Sequence, residues 1–197
     1  TEAPLALAPQ STFEPVEIAL WGLTYDVDGT RLLDGVTARF DHGQSAAVLG
    51  PSGAGKSTLL GVLGGHAGGN VGGALRLNGV APSAAEQRFA SSTLPQDDFV
   101  HGALTVRHAL FYGALLRSPR RWSRAKKFAA ASSALRSLGL AKVANAALSR
   151  VSGGERRRAG AALELLAERP VLLMDEPTSG LDAHAALALL KTFADVA

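Results

Sequence analysis

An α/β fold with a mostly parallel sheet is the architecture that this 197-residue chain predicts, and three features carry the prediction. The apolar run Ala46-Ala47-Val48-Leu49, the glycine-rich segment GPSGAGKST at residues 50–58 and the apolar continuation to residue 63 read as a buried strand, a loop and a helix in succession. Far downstream, Val171-Leu172-Leu173-Met174 is a second apolar run, introduced by Pro170 and ended by Asp175 and Glu176. It suits a buried parallel strand whose carboxyl end lies at the ligand-binding edge of an open sheet. Between the two, residues from about 105 to 150 are rich in alanine and leucine at helical spacing, which predicts an inserted α-helical subdomain.

The remaining elements follow in chain order. Residues 1–15, TEAPLALAPQSTFEP, read as a flexible Ala/Pro-rich tail, with neither the basic leader nor the continuous apolar core of a signal peptide and without a native start. Alternating segments from residue 16 to about residue 40, broken by Asp28-Gly29, predict the hairpin of an N-terminal antiparallel β subdomain. Ala74-Leu75-Arg76-Leu77 followed by Asn78-Gly79 adds another strand and turn. After Ser152-Gly153-Gly154, residues 155–168 alternate apolar and charged side chains in a helical manner. A last helix is expected from about residue 183 to 196.

The chemistry is concentrated in the loops. In the pattern Gly-x-x-x-x-Gly-Lys-Ser, the backbone of Gly50, Pro51, Ser52, Gly53, Ala54 and Gly55 must curl with its N–H groups inward, a conformation that glycine adopts cheaply. Lys56 is expected to place its ammonium on the β and γ phosphates of a nucleotide, Ser57 its hydroxyl on Mg²⁺, and the helix that continues through Thr58 its positive dipole end on the same anion. The pattern predicts a P-loop NTPase core. Asp175 is the candidate to hold Mg²⁺ through its water shell, and Glu176 to accept a proton from the attacking water or orient it. As neighbours in a strand, the two carboxylates are expected to point to opposite faces. Ser152, Gly153 and Gly154 begin a second helix whose N-terminus suits an anion, and Arg156, Arg157 and Arg158 crowd its first turn against the helix dipole unless something anionic lies nearby.

With these four segments in this order, the chain from about residue 16 to 197 resembles the nucleotide-binding domains of ATP-binding-cassette (ABC) proteins. Walker A falls at Gly50, the LSGGQ-type signature at Val151-Ser152-Gly153-Gly154-Glu155, Walker B at Asp175-Glu176 and the D-loop at Ser179-Gly180-Leu181-Asp182. Glu155 in place of the usual glutamine, the triplet Gln96-Asp97-Asp98, the phrase Leu104-Thr105-Val106-Arg107 and DEPTSGLD at 175–182 resemble the white-type half transporters, subfamily G. The resemblance implies a Q-loop role for Gln96, touching Mg²⁺ and water and linking the site to a membrane domain. It implies adenine stacking for Tyr25. For Ser152, Gly153 and Gly154 it implies contact with the γ-phosphate held by a second nucleotide-binding domain. It also implies a histidine on the strand after the D-loop helix, which none of His42, His66, His101, His108 and His184 matches, so the domain is expected to be incomplete at its C-terminus.

Composition narrows the classes further. Hydrophobic residues make up 47% and charged residues 19%, a globular composition, and a formal charge of +3 is too small to argue for nucleic acid. The absence of cysteine excludes disulfides and cysteine-ligated metals. No apolar run reaches about 18 residues, so a membrane span must come from another segment or subunit. Arg117, Arg120, Arg121, Arg124, Lys126 and Lys127 form a basic stretch that reads either as a solvated helix face or as a contact for anionic headgroups or a partner. The resemblance thus implies the MgATP-hydrolysing part of a transporter, attached to the cytoplasmic face of a membrane, dimeric, joined to a transmembrane domain on the same polypeptide and moving hydrophobic or lipid-like cargo. The alternatives are a soluble ABC ATPase, marked by a tandem domain or long coiled coil, and an ATP-binding fragment with little hydrolysis.

Overall fold

The computed structural model describes residues 15–94, 102–179 and 181–194. They form two compact units, one of residues 15–93 with 169–175, the other of 94, 102–168, 176–179 and 181–194.

The first unit is built on an antiparallel sheet in the order β2-β1-β3, with β1 (Ile18–Val27), β2 (Thr30–Phe40) and β3 (Asn70–Leu77). The β1–β2 turn is Asp28 (φ 47°) and Gly29 (φ 78°), both left-handed, as the tight hairpin turn that matches strand twist requires. Asn78 (φ 49°) and Gly79 (φ 79°) repeat the device after β3, where Leu77 and Val80 exchange hydrogen bonds. Simple alternation would put Leu20 and Leu23 on opposite faces. The register slips by one residue between them, Leu20 opposing Ala38 and Leu23 opposing Val36, with Gly22 left-handed at the bulge. That slip sends Ile18, Leu20, Leu23 and Tyr25 to one face, where Leu33 joins them.

Helix α1 (Lys56–Leu63) lays Leu59 and Val62, one turn apart, into this core, each burial being worth about 1.5–3 kcal/mol. The phosphate-type loop is therefore carried by a helix anchored on the sheet. Helix α2 (Ala84–Ala90), not anticipated from the sequence, starts at Ser83, whose hydroxyl accepts from the Glu86 N–H while the Glu86 carboxylate accepts from the Ser83 N–H at 2.7 Å. It leads into β4 (Ser91–Leu94), which pairs with β5 (Val171–Met174) as the parallel sheet of the α/β core. The run Ala46–Leu49 departs from expectation. Residues 44–50 pair with no strand among the described residues, and Val48 and Leu49 are exposed. Apolar composition makes a segment fit for a strand, but a strand exists only where a neighbour supplies the ladder.

The second unit is helical: α3 (Val106–Arg117), α4 (Arg124–Ser137), α5 (Gly153–Leu165) and α6 (Ala183–Ala194), with a short 3₁₀ turn at Ala141–Val143. Its interior is small-residue packing, Ala114, Ala131, Ala159 and Ala162 around Leu110, Leu140 and Leu148, all essentially inaccessible. Helix α5 begins two residues earlier than the sequence suggests, at the glycine pair itself. Residues 144–150, the segment between the helical stretch and the glycine pair, run beside 102–107. The Val106 N–H donates to the Ala146 carbonyl at 3.1 Å, and the Leu148 N–H to the Leu104 carbonyl at 2.8 Å.

At Gly73 (φ 75°) a Cβ would lie 2.3 Å from the Gly22 carbonyl oxygen, whereas at Gly79 nothing lies within 4 Å. Gly73→Ala should therefore cost about 3 kcal/mol or more, a clash added to left-handed strain, and Gly79→Ala only about 1 kcal/mol. Thermal unfolding followed by circular dichroism checks this. Equal loss of Tm in the two variants would show that the strand crossing at Gly73 relaxes freely.

Candidate functional site

The loop at residues 50–55 is exposed except at its end, and its curl rests on Gly53 (φ 80°) and Gly55 (φ 86°). A side chain at Gly55 would also meet Leu33 at 2.9 Å and the Leu32 carbonyl at 3.0 Å, so the helix start is held close against β2. The Lys56 ammonium folds back over the loop, donating to the carbonyls of Gly50 at 3.0 Å and Pro51 at 2.8 Å. Ser57 stands exposed beside it, and Thr58 is half-buried.

The start of α1 differs from those of α2, α3, α4 and α5. Ser83, Thr105, Ser123 and Ser152 each cap a helix through the side-chain oxygen, but α1 begins at left-handed Gly55 with no side-chain cap and no acid in its first turn. The first amides of α1 are thus left to an acceptor from outside, next to a cation and a hydroxyl. That donor set fits a nucleotide's phosphates, and Ser57 with Asp175 is a pair of hard oxygen donors that fits Mg²⁺. Among the described residues no cluster of three or more histidines, aspartates or glutamates offers a metal site made of such ligands alone.

Asp175 and Glu176 lie past the end of β5, in a bend, and Glu176 is left-handed (φ 45°). The expected alternation of the two carboxylates across a strand therefore does not apply, because the strand has ended before them. A non-glycine residue costs about 1–2 kcal/mol in this conformation. Two donors fix its carbonyl: the Ser179 N–H at 3.0 Å and the guanidinium of Arg157 at 3.1 Å. Arg157 is 4% exposed. The sequence marked it only as one cation of three, and no local pattern identifies it as the residue that fixes the backbone of Glu176.

Two of the crowded arginines of α5 reach carbonyl oxygens, and Arg158 lies near enough to the Glu155 carboxylate to act on it. Arg156 donates to the carbonyls of Leu148 at 3.1 Å and Val151 at 3.4 Å, as Arg157 does to Glu176. The helix start itself is closed as well. Ser152 accepts from the Glu155 N–H at 3.3 Å, and the Glu155 carboxylate accepts from the Ser152 N–H at 2.8 Å and its hydroxyl at 2.9 Å. The glutamate that marked a family branch in the sequence is thus half of a capping box. At Gly154 a Cβ would sit 2.8 Å from the terminal methyl of Leu181, which would have to move aside, whereas at Gly153 it would meet nothing within 4 Å.

Tyr25 corrects another expectation. It is 7% exposed, lies in the sheet core and accepts a hydrogen bond from the Gly69 N–H at 3.1 Å, so its ring is spent on packing rather than offered to a base. Gln96 and Gly180 lie outside the described residues.

The Glu155 carboxyl is held below its ordinary value, first by the Ser152 N–H, then by the Ser152 hydroxyl, with Arg158 helping and slight burial opposing. The folded state favours the carboxylate, so this stabilisation is complete above the ordinary glutamate range and is lost as pH falls through the lower folded value. Glu155→Gln keeps an acceptor for the Ser152 N–H but has no proton to gain. Its Tm should exceed the parent's increasingly, relative to the neutral-pH difference, as pH falls from about 5 to 3, and a constant difference between the two would refute the linkage.

Comparison with known proteins agrees with this geometry. Residues 33–179 match the family model described as ABC transporter. The chain is 43% identical over 186 residues to ABC transporter G family member 25 of Arabidopsis thaliana, covering 88% of this chain and 27% of that protein. It is 39% identical over 180 residues to an ABC transporter ATP-binding/permease protein of Mycobacterium tuberculosis, covering 88% of this chain and 21% of that protein. The chain therefore spans about a quarter of the length of these relatives. Among solved structures, cbiO1 from Clostridium perfringens, part of the ABC transporter complex cbiONQ, shares the fold with a TM-score of 0.80 and 24% identity, over 92% of this chain and 74% of that one. A phosphate loop on an anchored helix without a side-chain cap, two carboxylates just past the end of a strand and a glycine pair opening α5 have their place in one family, and this chain belongs to it, the ABC transporter family.

Proposed function

We propose that this domain drives a white-type transporter, its MgATP-dependent dimerisation and hydrolysis coupled to movement of a hydrophobic or lipid-like cargo across a membrane. The observation that carries the site is the Lys56 ammonium curled over a loop whose helix has no cap of its own. Lys56 and the loop amides of residues 50–55 hold the β and γ phosphates, and Ser57 and Asp175 hold Mg²⁺, which when bound offsets phosphate charge. Glu176 takes the proton of the attacking water or orients it, with its backbone fixed by Arg157. Gln96 keeps its proposed role beside the metal and water and as the link to the membrane domain.

No described helix is long and apolar enough to cross a membrane. The Mycobacterium tuberculosis relative carries both ATP-binding and permease in its name, and most of its length lies outside the matched region. This supports a membrane domain on the same polypeptide, with the nucleotide-binding domain attached at the cytoplasmic face. Gly153 supports the dimer. It is exposed, begins α5 without left-handed backbone, and among the described residues no atom lies close enough to require a glycine there. A surface from outside that approaches the amides of Ser152, Gly153 and Gly154 supplies the reason.

Lys56→Ala should weaken MgATP binding about a hundredfold, the scale of losing charge-assisted hydrogen bonds to two phosphates. Isothermal calorimetry reads this directly, and unchanged affinity would sink the assignment. In a Glu176→Gln background, where binding persists and turnover is suppressed, ATP should promote a dimer detectable by analytical ultracentrifugation. Adding Gly153→Val should abolish that dimer while ATP affinity stays within about threefold, because the side chain enters only the space of the opposing domain. Dimerisation unaffected by the valine would place the interface elsewhere.

A further inference from the structure

Residues 99–154 hold ten lysines and arginines, half of all in the chain, and no aspartate or glutamate. Most of them lie on α3, α4 and their connection, where the structure divides the basic stretch in two. One set is tied down. Arg117 bridges Glu164 at 2.5 Å, Arg121 lies 3.7 Å from the buried carboxylate of Glu168, and the buried Lys127 ammonium donates to the Leu115 carbonyl at 3.1 Å. These contacts fix the α3–α4 corner against α5. The other set, Arg120, Arg124 and Lys126, is exposed, and Lys126 stands 4.1 Å over the half-buried ring of Trp122. Beside them Leu116 is 85% exposed at the end of α3.

We infer that this corner is a contact surface for the anionic headgroups of a lipid bilayer. Exposed cations on a fixed corner attract such a surface, and an exposed leucine in the same stretch gains free energy only where an apolar phase begins within a few ångströms of the charges. A nucleic acid would use the cations but leave Leu116 in water, and it would call for stacking faces, whereas the one indole here is already covered by Lys126. The surface rests on the reading of this domain as one that works beside a membrane.

The test uses the 197-residue chain in flotation with phosphatidylcholine vesicles, with and without about 30% phosphatidylserine. The parent should bind the anionic vesicles, release as salt rises, and ignore the neutral ones. Replacing Arg120, Arg124 and Lys126 together by glutamine should lower affinity about a hundredfold, the fold-change that corresponds to about 1 kcal/mol per cation, and Leu116→Ser should lower it several-fold. Arg136→Gln with Lys142→Gln, exposed cations away from the corner, should change it less than about threefold. Equal binding to neutral vesicles, an equal loss in the distant pair, or displacement by single-stranded DNA at matched phosphate concentration would each overturn the assignment. ATP affinity measured on the same proteins separates the two readings: intact nucleotide binding with no vesicle binding defeats the corner and leaves the transporter reading standing.

Discussion

Every α-helix begins with four amide N–H groups that have no carbonyl of their own helix to bind, and the way this protein disposes of them decides where its chemistry lies. Four helices settle the matter internally with Ser83, Thr105, Ser123 and Ser152. Helix α1 does not. It starts from a left-handed glycine without a side-chain cap, faces a curled loop and carries a cation at its first position, a donor set that suits an anion. Packing of Leu59 and Val62 into the sheet core anchors this exposed helix start, each burial being worth about 1.5–3 kcal/mol.

The second glycine segment uses a different arrangement. Ser152 and Glu155 satisfy each other's amides, so α5 is stable as it stands, and a ligand approaching there finds a carboxylate already at the dipole's positive end. An anion can add to this helix only by sharing amides around Gly153, which fits a surface that meets a nucleotide held by another molecule better than one that holds it alone. The two helix starts thus differ in kind, one with no side-chain cap and one closed by its own capping box, as the proposed roles of cradle and encounter face require.

Legibility in the sequence followed the range of the forces involved. The hairpin at Asp28-Gly29, the turn at Asn78-Gly79, the left-handed Gly53 and Gly55 and the strand at Val171–Met174 are each written in a few adjacent residues, and all stand where local chemistry puts them. The apolar run at residues 46–49 reads just as clearly, yet a ladder needs a partner, and pairing is not a property of four residues. Tyr25 illustrates the same limit. An aromatic in an early strand satisfies both a core and a base platform, and the bulge at Gly22, three residues away, is what turns it inward. Helix α2 escaped because seven residues give too short a period to detect, although its capping box, Ser83 with Glu86, was legible.

Arg157 lies furthest from anything a sequence pattern states, and magnitudes explain why it is tolerated. A cation in the first turn of a helix opposes the dipole by about 0.3–1 kcal/mol at an exposed site, while a charged hydrogen bond contributes about 1.5–3 kcal/mol. The charged hydrogen bond from Arg157 to the Glu176 carbonyl is of the same order as the cost of holding Glu176 in the left-handed region, and it offsets part of the desolvation of a cation that is 4% exposed. The left-handed backbone of Glu176 and the buried cation on α5 are thus joined by one hydrogen bond, the link through which a shift at the start of α5 would reach the residue proposed to act on the attacking water.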